Sequence, residues 1–186
     1  MPLRRFISTS IFLFLALGFL SADNALAKPP QINPEITKII LAGVESTENT
    51  DLIEQIKKDL KIEDMFVKVI IGSYDAAGIT GQLVKALPGG YFILIDSNLY
   101  EKITPAERKA LIGHEMGYIL YAPKIHLYDL DRTGLDICAD FFAVKYAGVD
   151  AVLSLLEKKL YSIPEDHRDQ PAYKIRKAVL EEVRRN

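Results

Sequence analysis

Cysteine occurs once, as Cys138, so no disulfide can form within the chain. A fold of this sequence must rest on its apolar core or on a bound metal. A surplus of basic charge is also missing: 23 Lys and Arg stand against 25 Asp and Glu, a formal net charge of −2. That balance lacks the basic surface a nucleic-acid binder needs, and no nucleic-acid partner is expected. No internal repeat is visible. Beyond residue 27 no run is apolar enough to cross a bilayer, so no stable membrane insertion is expected.

The one long apolar run lies at the start. Arg4 and Arg5 precede residues 11–20, which are apolar apart from Gly18, and Ala25-Leu26-Ala27 follows. A basic stretch, a short apolar stretch and small residues, in that order, make a secretory signal. Residues 1–27 are read as a signal peptide and residues 28–186 as a single exported domain, periplasmic or secreted. An uncleaved N-terminal anchor is the alternative, although the run is short for one. Absence of Cys near the cleavage site excludes a lipid anchor there. Cleavage removes Arg4, Arg5 and Asp23, leaving 21 basic against 24 acidic residues and a net charge of −3.

The exported part begins with a proline-rich linker, Pro29 and Pro30 included. Pro34 opens a helix to about residue 42, and Asn49-Thr50-Asp51 caps a second to about Leu60, with Leu52, Ile53, Ile56 and Leu60 on one stripe. Residues 65–71 are rich in β-branched side chains and read as a strand. Residues 74–90, with Gly78, Gly81 and Pro88-Gly89-Gly90, read as a loop or loose hairpin. The nearly all-apolar run 91–96 is a second strand, covered on both faces. Thr104-Pro105-Ala106-Glu107 is a capping box with Pro at the first helical position, and Pro123 stops that helix after about Tyr121. Asp131 or Thr133 opens the next, which ends at Gly148; Asp150 caps another to about Leu160; Pro171 opens the last, ending in Arg184 and Arg185. This pattern predicts an α+β domain, mostly helical, with a small β-sheet.

The capped helix carries His114-Glu115-Met116-Gly117-Tyr118. In the zinc-peptidase signature HExxH, two imidazoles one turn apart hold one Zn²⁺, and the Glu between them is general base for the metal-bound water. Here Tyr118 stands where the second imidazole belongs. Gly113 and Gly117 each disfavour the helix by about 1 kcal/mol relative to Ala, so something must approach that helix closely. Tight helix packing around a buried, hydrogen-bonded His114 explains the same residues. On the following helix Asp136 and Asp140 share a face. They suit a third metal ligand and a carboxylate that orients an imidazole. Alternatively Asp136 serves the helix N-terminus in a box starting at Thr133, and Asp140 is solvated beside a Lys. His126 and His167 are each a loop histidine or a substitute ligand; Cys138, well around the helix from Asp136, reads as core.

The ordered set of His114-Glu115-Met116-Gly117-Tyr118, Asp136-Ile137-Cys138-Ala139-Asp140, Ala147-Gly148-Val149-Asp150 and Gln170-Pro171 with Arg176 resembles the HtpX-like zinc metallopeptidases. Relatives of that family include prenyl-protein endopeptidases and periplasmic chaperone-proteases. The resemblance covers residues 91–176. It implies a zincin-like metallopeptidase domain that binds Zn²⁺ and hydrolyses protein or peptide substrates. It carries over His114, Tyr118 and Asp136 as metal ligands, Glu115 as general base and Asp140 as the residue behind the ligands. Tyr91, Phe92, Ile93 and Leu94 become a substrate-binding edge strand. Three positions depart from the family pattern: Tyr118 and Gln170 replace His, and Asp136 replaces Glu. Two readings follow. One is an exported peptidase in which Glu115 deprotonates a metal-activated water; the other is a catalytically inactive homologue that binds peptides or acts like a chaperone.

Overall fold

The computed structural model describes residues 34–74, 81–86, 89–124, 130–162, 165 and 170–186. The expected signal peptide, the linker before Pro34, His126 and His167 lie outside these residues. Strands β1 (Val44–Ser46), β2 (Phe66–Gly72), β3 (Gly81–Ala86) and β4 (Gly90–Asp96) form one mixed sheet in the order β1-β2-β4-β3. β2 and β4 run parallel, and the other two pairs are antiparallel. Helices dominate the rest: α1 (Pro34–Ala42), α2 (Thr50–Leu60), the short α3 (Ser97–Lys102), α4 (Pro105–Tyr121), α5 (Arg132–Ala147), α6 (Val149–Ser162) and α7 (Gln170–Arg185). The expected α+β class, mostly helical with a small sheet, is what folds. Among the described residues no helix is long and apolar enough to cross a membrane.

β4 explains the layering. Its side chains alternate between faces. Ile93 and Ile95 join Val69 in the core shared with the helices, while Phe92 and Leu94 join Ile70, Tyr74 and Ile40 of α1 on the other face. A strand apolar on both sides belongs inside a sheet, where both hydrogen-bonded flanks are also occupied. This corrects the expected role of Tyr91, Phe92, Ile93 and Leu94. They are not an edge, because β2 lies on one side of them and β3 on the other. The outer strand beside β4 is β3, within the stretch read as a loop or loose hairpin. It is short and bracketed by glycines, and Leu83 and Val84 face opposite cores, which leaves little period-two signal. β1 and α3 are also additions, too short to announce themselves. Asp96 caps α3 by accepting from the Asn98 and Leu99 amides.

α4 starts at the expected capping box. The Thr104 side chain accepts from the Glu107 amide, and Glu107 accepts from the Thr104 amide. From Ala110 to Gly117 every residue is buried, as befits a helix enclosed on all sides. Among the described residues Asn49 holds the N-cap position of α2, but its side chain makes no capping bond. Asp131, not Thr133, caps α5 through the Gly134 amide at 2.7 Å. Asp136 therefore lies in the second turn, away from the helix start. Asp150 sits in the first turn of α6.

Glu107 anchors more than a helix start. Its carboxylate accepts from Ser154 Oγ at 2.5 Å and from Lys158 Nζ at 2.8 Å, both on α6. Burial alone would raise its pKa, but Lys158, Ser154 and Thr104 outweigh it and bring it down to about 2. A depressed carboxyl contributes stability that is complete above the unfolded value near pH 4.5 and is lost as pH falls towards about 2. Urea unfolding between those pH values is expected to show this loss, and Glu107→Gln should flatten it. Equal slopes in both proteins would show that Glu107 is not the group responsible.

Candidate functional site

The two glycines of α4 are explained by α5. A Cβ on Gly117 would lie 2.9 Å from the Ala139 Cα, and one on Gly113 would lie 3.0 Å from the Ala143 Cα. The helices thus meet nearly backbone to backbone. Gly117→Ala is expected to destabilise the domain by roughly 1–3 kcal/mol through overpacking, despite the better helix propensity of Ala. Equilibrium denaturation measures this; an unchanged or higher midpoint would mean that the seam can open.

The seam brings the candidate residues together. His114 Nδ1 lies 2.8 Å from Asp140 Oδ1, the position expected for a carboxylate that orients the ring. His114 Nε2 lies 3.2 Å from the Tyr118 hydroxyl. The two rings meet edge to face, 5.1 Å between centroids. The Tyr118 hydroxyl donates a short hydrogen bond to Asp136 Oδ1. His114, Tyr118, Asp136 and Asp140 thus form one buried to half-buried cluster, as the sequence pattern predicted.

Arg176 of α7 completes it, in a role the sequence reading did not assign. Its Nε and one terminal nitrogen grip Asp140, both at 2.8 Å, and its other terminal nitrogen reaches Asp136 at 3.3 Å. Only its spacing from Pro171 pointed to it. Glu115 is also fully buried, and Lys159 of α6 stands 3.6 Å from its carboxylate. No pattern in the sequence linked Lys159 to Glu115. Gly81, the first residue of β3, abuts the same carboxylate: a Cβ there would come within 3.3 Å of Glu115 Oε1. The outer strand of the sheet therefore begins directly over the motif helix. Gln170 is exposed at the start of α7, and Cys138 is only partly buried rather than core.

Electrostatics hold the cluster in a closed form. Burial pushes the Tyr118 phenol far above its usual range, and the charges of Asp136 and Glu115 push it further. It keeps its proton and donates a hydrogen bond with it to Asp136. Burial would raise the Asp140 carboxyl, but His114 and Arg176 outweigh that and bring it to about 2. Burial opposes the Arg176 charge, and Asp140 and Asp136 more than compensate.

This donor set does not fit a zinc site as it stands. The single Tyr118 hydroxyl proton is engaged in the hydrogen bond to Asp136, and the same hydroxyl lies against His114 Nε2. The Arg176 guanidinium already pairs with both Asp136 and Asp140. A dication would have to displace the Tyr118 proton and sit beside a guanidinium. Nor is a buried polar atom left waiting for a ligand in the cluster: among the described residues the one such side-chain atom without a partner is Arg108 Nε, elsewhere.

Comparison of the chain with protein-family models, with curated proteins and with solved structures finds no match.

Proposed function

We propose that this chain is an exported metallopeptidase-like domain in which internal charge pairs have taken the place of the metal, and that it holds extended peptides without cleaving them. The observation that carries this reading is the Tyr118 hydroxyl, bonded to Asp136 and 3.2 Å from His114 Nε2, where the motif would need free ligand atoms. The peptide half of the reading rests on β3. Among the described residues β3 is an outer strand, and its far side presents unpaired N–H and C=O groups to an incoming strand. It starts over Leu111 and Glu115, so a peptide added there would run past the polar cluster.

A second reading keeps the enzyme. Glu115 remains buried on the motif helix beside the cluster, and a pure binding module has no evident need of a carboxylate there. One set of measurements separates the two. The purified domain is expected to carry no stoichiometric zinc, to unfold at the same temperature with and without a chelator, and to leave unstructured peptides intact. It is expected to bind such peptides, and N-methylation of the peptide backbone should abolish binding. Bound zinc, with hydrolysis lost in Glu115→Gln, would return the chain to the peptidases. Failure to bind any extended peptide would remove the module reading.

A further inference from the structure

β3 carries a single charged residue, Lys85. Residues 81, 83 and 85 share the face towards the helices. Gly81 lies against Leu111 of α4, Leu83 packs into the core shared with the helices, and Lys85 follows by alternation. The register of the sheet sets these residues in rows. Leu83 stands beside Ile93, and Ile93 beside Val69; Lys85 stands beside Tyr91, and Tyr91 beside Val67. From Val69 outward the first row is apolar, and it ends at Leu83, which is only half-buried. The second row ends in the exposed ammonium of Lys85, without an ion-pair partner among the described residues.

A strand added beyond β3 extends each row by one residue. Its side chains on the helix face then meet Leu83 and Lys85 in turn, two residues apart. An apolar side chain beside Leu83 continues that row and takes further apolar surface from water. Beside Lys85 the complement is a carboxylate, since opposite charges in such a pair attract and like charges repel. The other face offers no charge to read: Gln82 is exposed and neutral, and Val84 is half-buried beside Phe92. Lysine on an outer strand is also a common guard against unwanted pairing. A guard disfavours every incoming strand alike, whereas a selector favours one charge over the other.

We propose that Lys85 makes β3 selective for extended peptides that carry an acidic residue two positions from an apolar one. This inference rests on the reading of β3 given above and names the class of peptide it takes.

Two blocked peptides of one composition test it with the full domain. Acetyl-Thr-Glu-Thr-Val-Thr-Val-amide sets its Glu beside Lys85 when it runs antiparallel to β3. Its reversal, acetyl-Val-Thr-Val-Thr-Glu-Thr-amide, does so when it runs parallel. Titration followed by amide chemical shifts gives both affinities, with shifts expected along residues 81–86, and the tighter peptide assigns the direction. Replacing its Glu by Gln should weaken binding about threefold, and replacing it by Lys about tenfold, the scale of one exposed cross-strand charge pair. The preference should shrink as salt is raised. In Lys85→Glu the order should reverse, with the Lys peptide binding best. Lys85 is exposed, and an unchanged melting curve will show that the fold persists. Equal binding of the Glu, Gln and Lys peptides would overturn the inference and leave the peptide reading standing. So would a Lys85→Gln protein that binds all three more tightly by one factor, which would make Lys85 a guard. Binding of none of the peptides would overturn both.

Discussion

Arg176→Leu is expected to destabilise the domain by about 3–5 kcal/mol, the usual consequence of leaving buried charges without their partner. For a domain of this size that corresponds to a fall in Tm of roughly 6–20 °C, and it is a large share of the ~5–15 kcal/mol that folded domains have in hand. The reason is geometric. One guanidinium, 13% exposed, serves two carboxylates on α5, and through them it ties α7 to the α4–α5 pair. Arg176→Lys keeps the charge but loses the fork, and an intermediate loss is expected. The deficit should depend on pH with a defined sign. Asp140 titrates at about 2 in the folded protein, below its unfolded value near 3.8, so its contribution is complete above about pH 4 and lost as pH falls towards 2. The difference between wild type and Arg176→Leu should therefore be greatest near neutrality and narrow on acidification. A deficit that stays constant across this range would mean that Arg176 acts by packing rather than by charge.

Tyr118→His is expected to raise zinc affinity by about two orders of magnitude. A structural zinc site with four ligands is worth ~10–16 kcal/mol, so one added imidazole brings roughly 3 kcal/mol, or about a hundredfold. The substitution removes the phenol proton that closes the cluster and sets a second imidazole one turn from His114, facing Asp136. Competition with a chelator of known affinity measures the change. No gain would show that residues 114, 118 and 136 do not converge in solution. A wild-type protein that already competes well would show that Tyr118 ionises after all.

The site was legible in the sequence to the extent that it depends on helical phase. His114 and Tyr118 fall four apart, as do Asp136 and Asp140, and these two spacings alone put the four side chains on facing helix surfaces. The Thr104–Glu107 box and Gly148 set the ends of those helices, because capping is local chemistry. What depends on tertiary pairing was not legible. The rank of β4 within the sheet is decided by which strands lie beside it, and its apolar run is compatible with several places. Arg176 and Lys159 reach their carboxylates from distant elements, and nothing near either residue marks its partner. The closed state of the cluster depends on proton positions, which residue types alone do not fix.

The contact of Gly113 and Gly117 with Ala143 and Ala139 has a further consequence, for how such a domain can change over generations. It sets the rotation of two helices against each other by backbone contact, independently of any side chain in the cluster. Substitutions at 118 or 136 can therefore alter the chemistry while the frame stays in place. A single-residue insertion or deletion within either helix would turn every later side chain by about 100° and disperse the cluster at once. Among descendants of one ancestor, the lengths of these two helices and their small seam residues should outlast the identities of the groups they present.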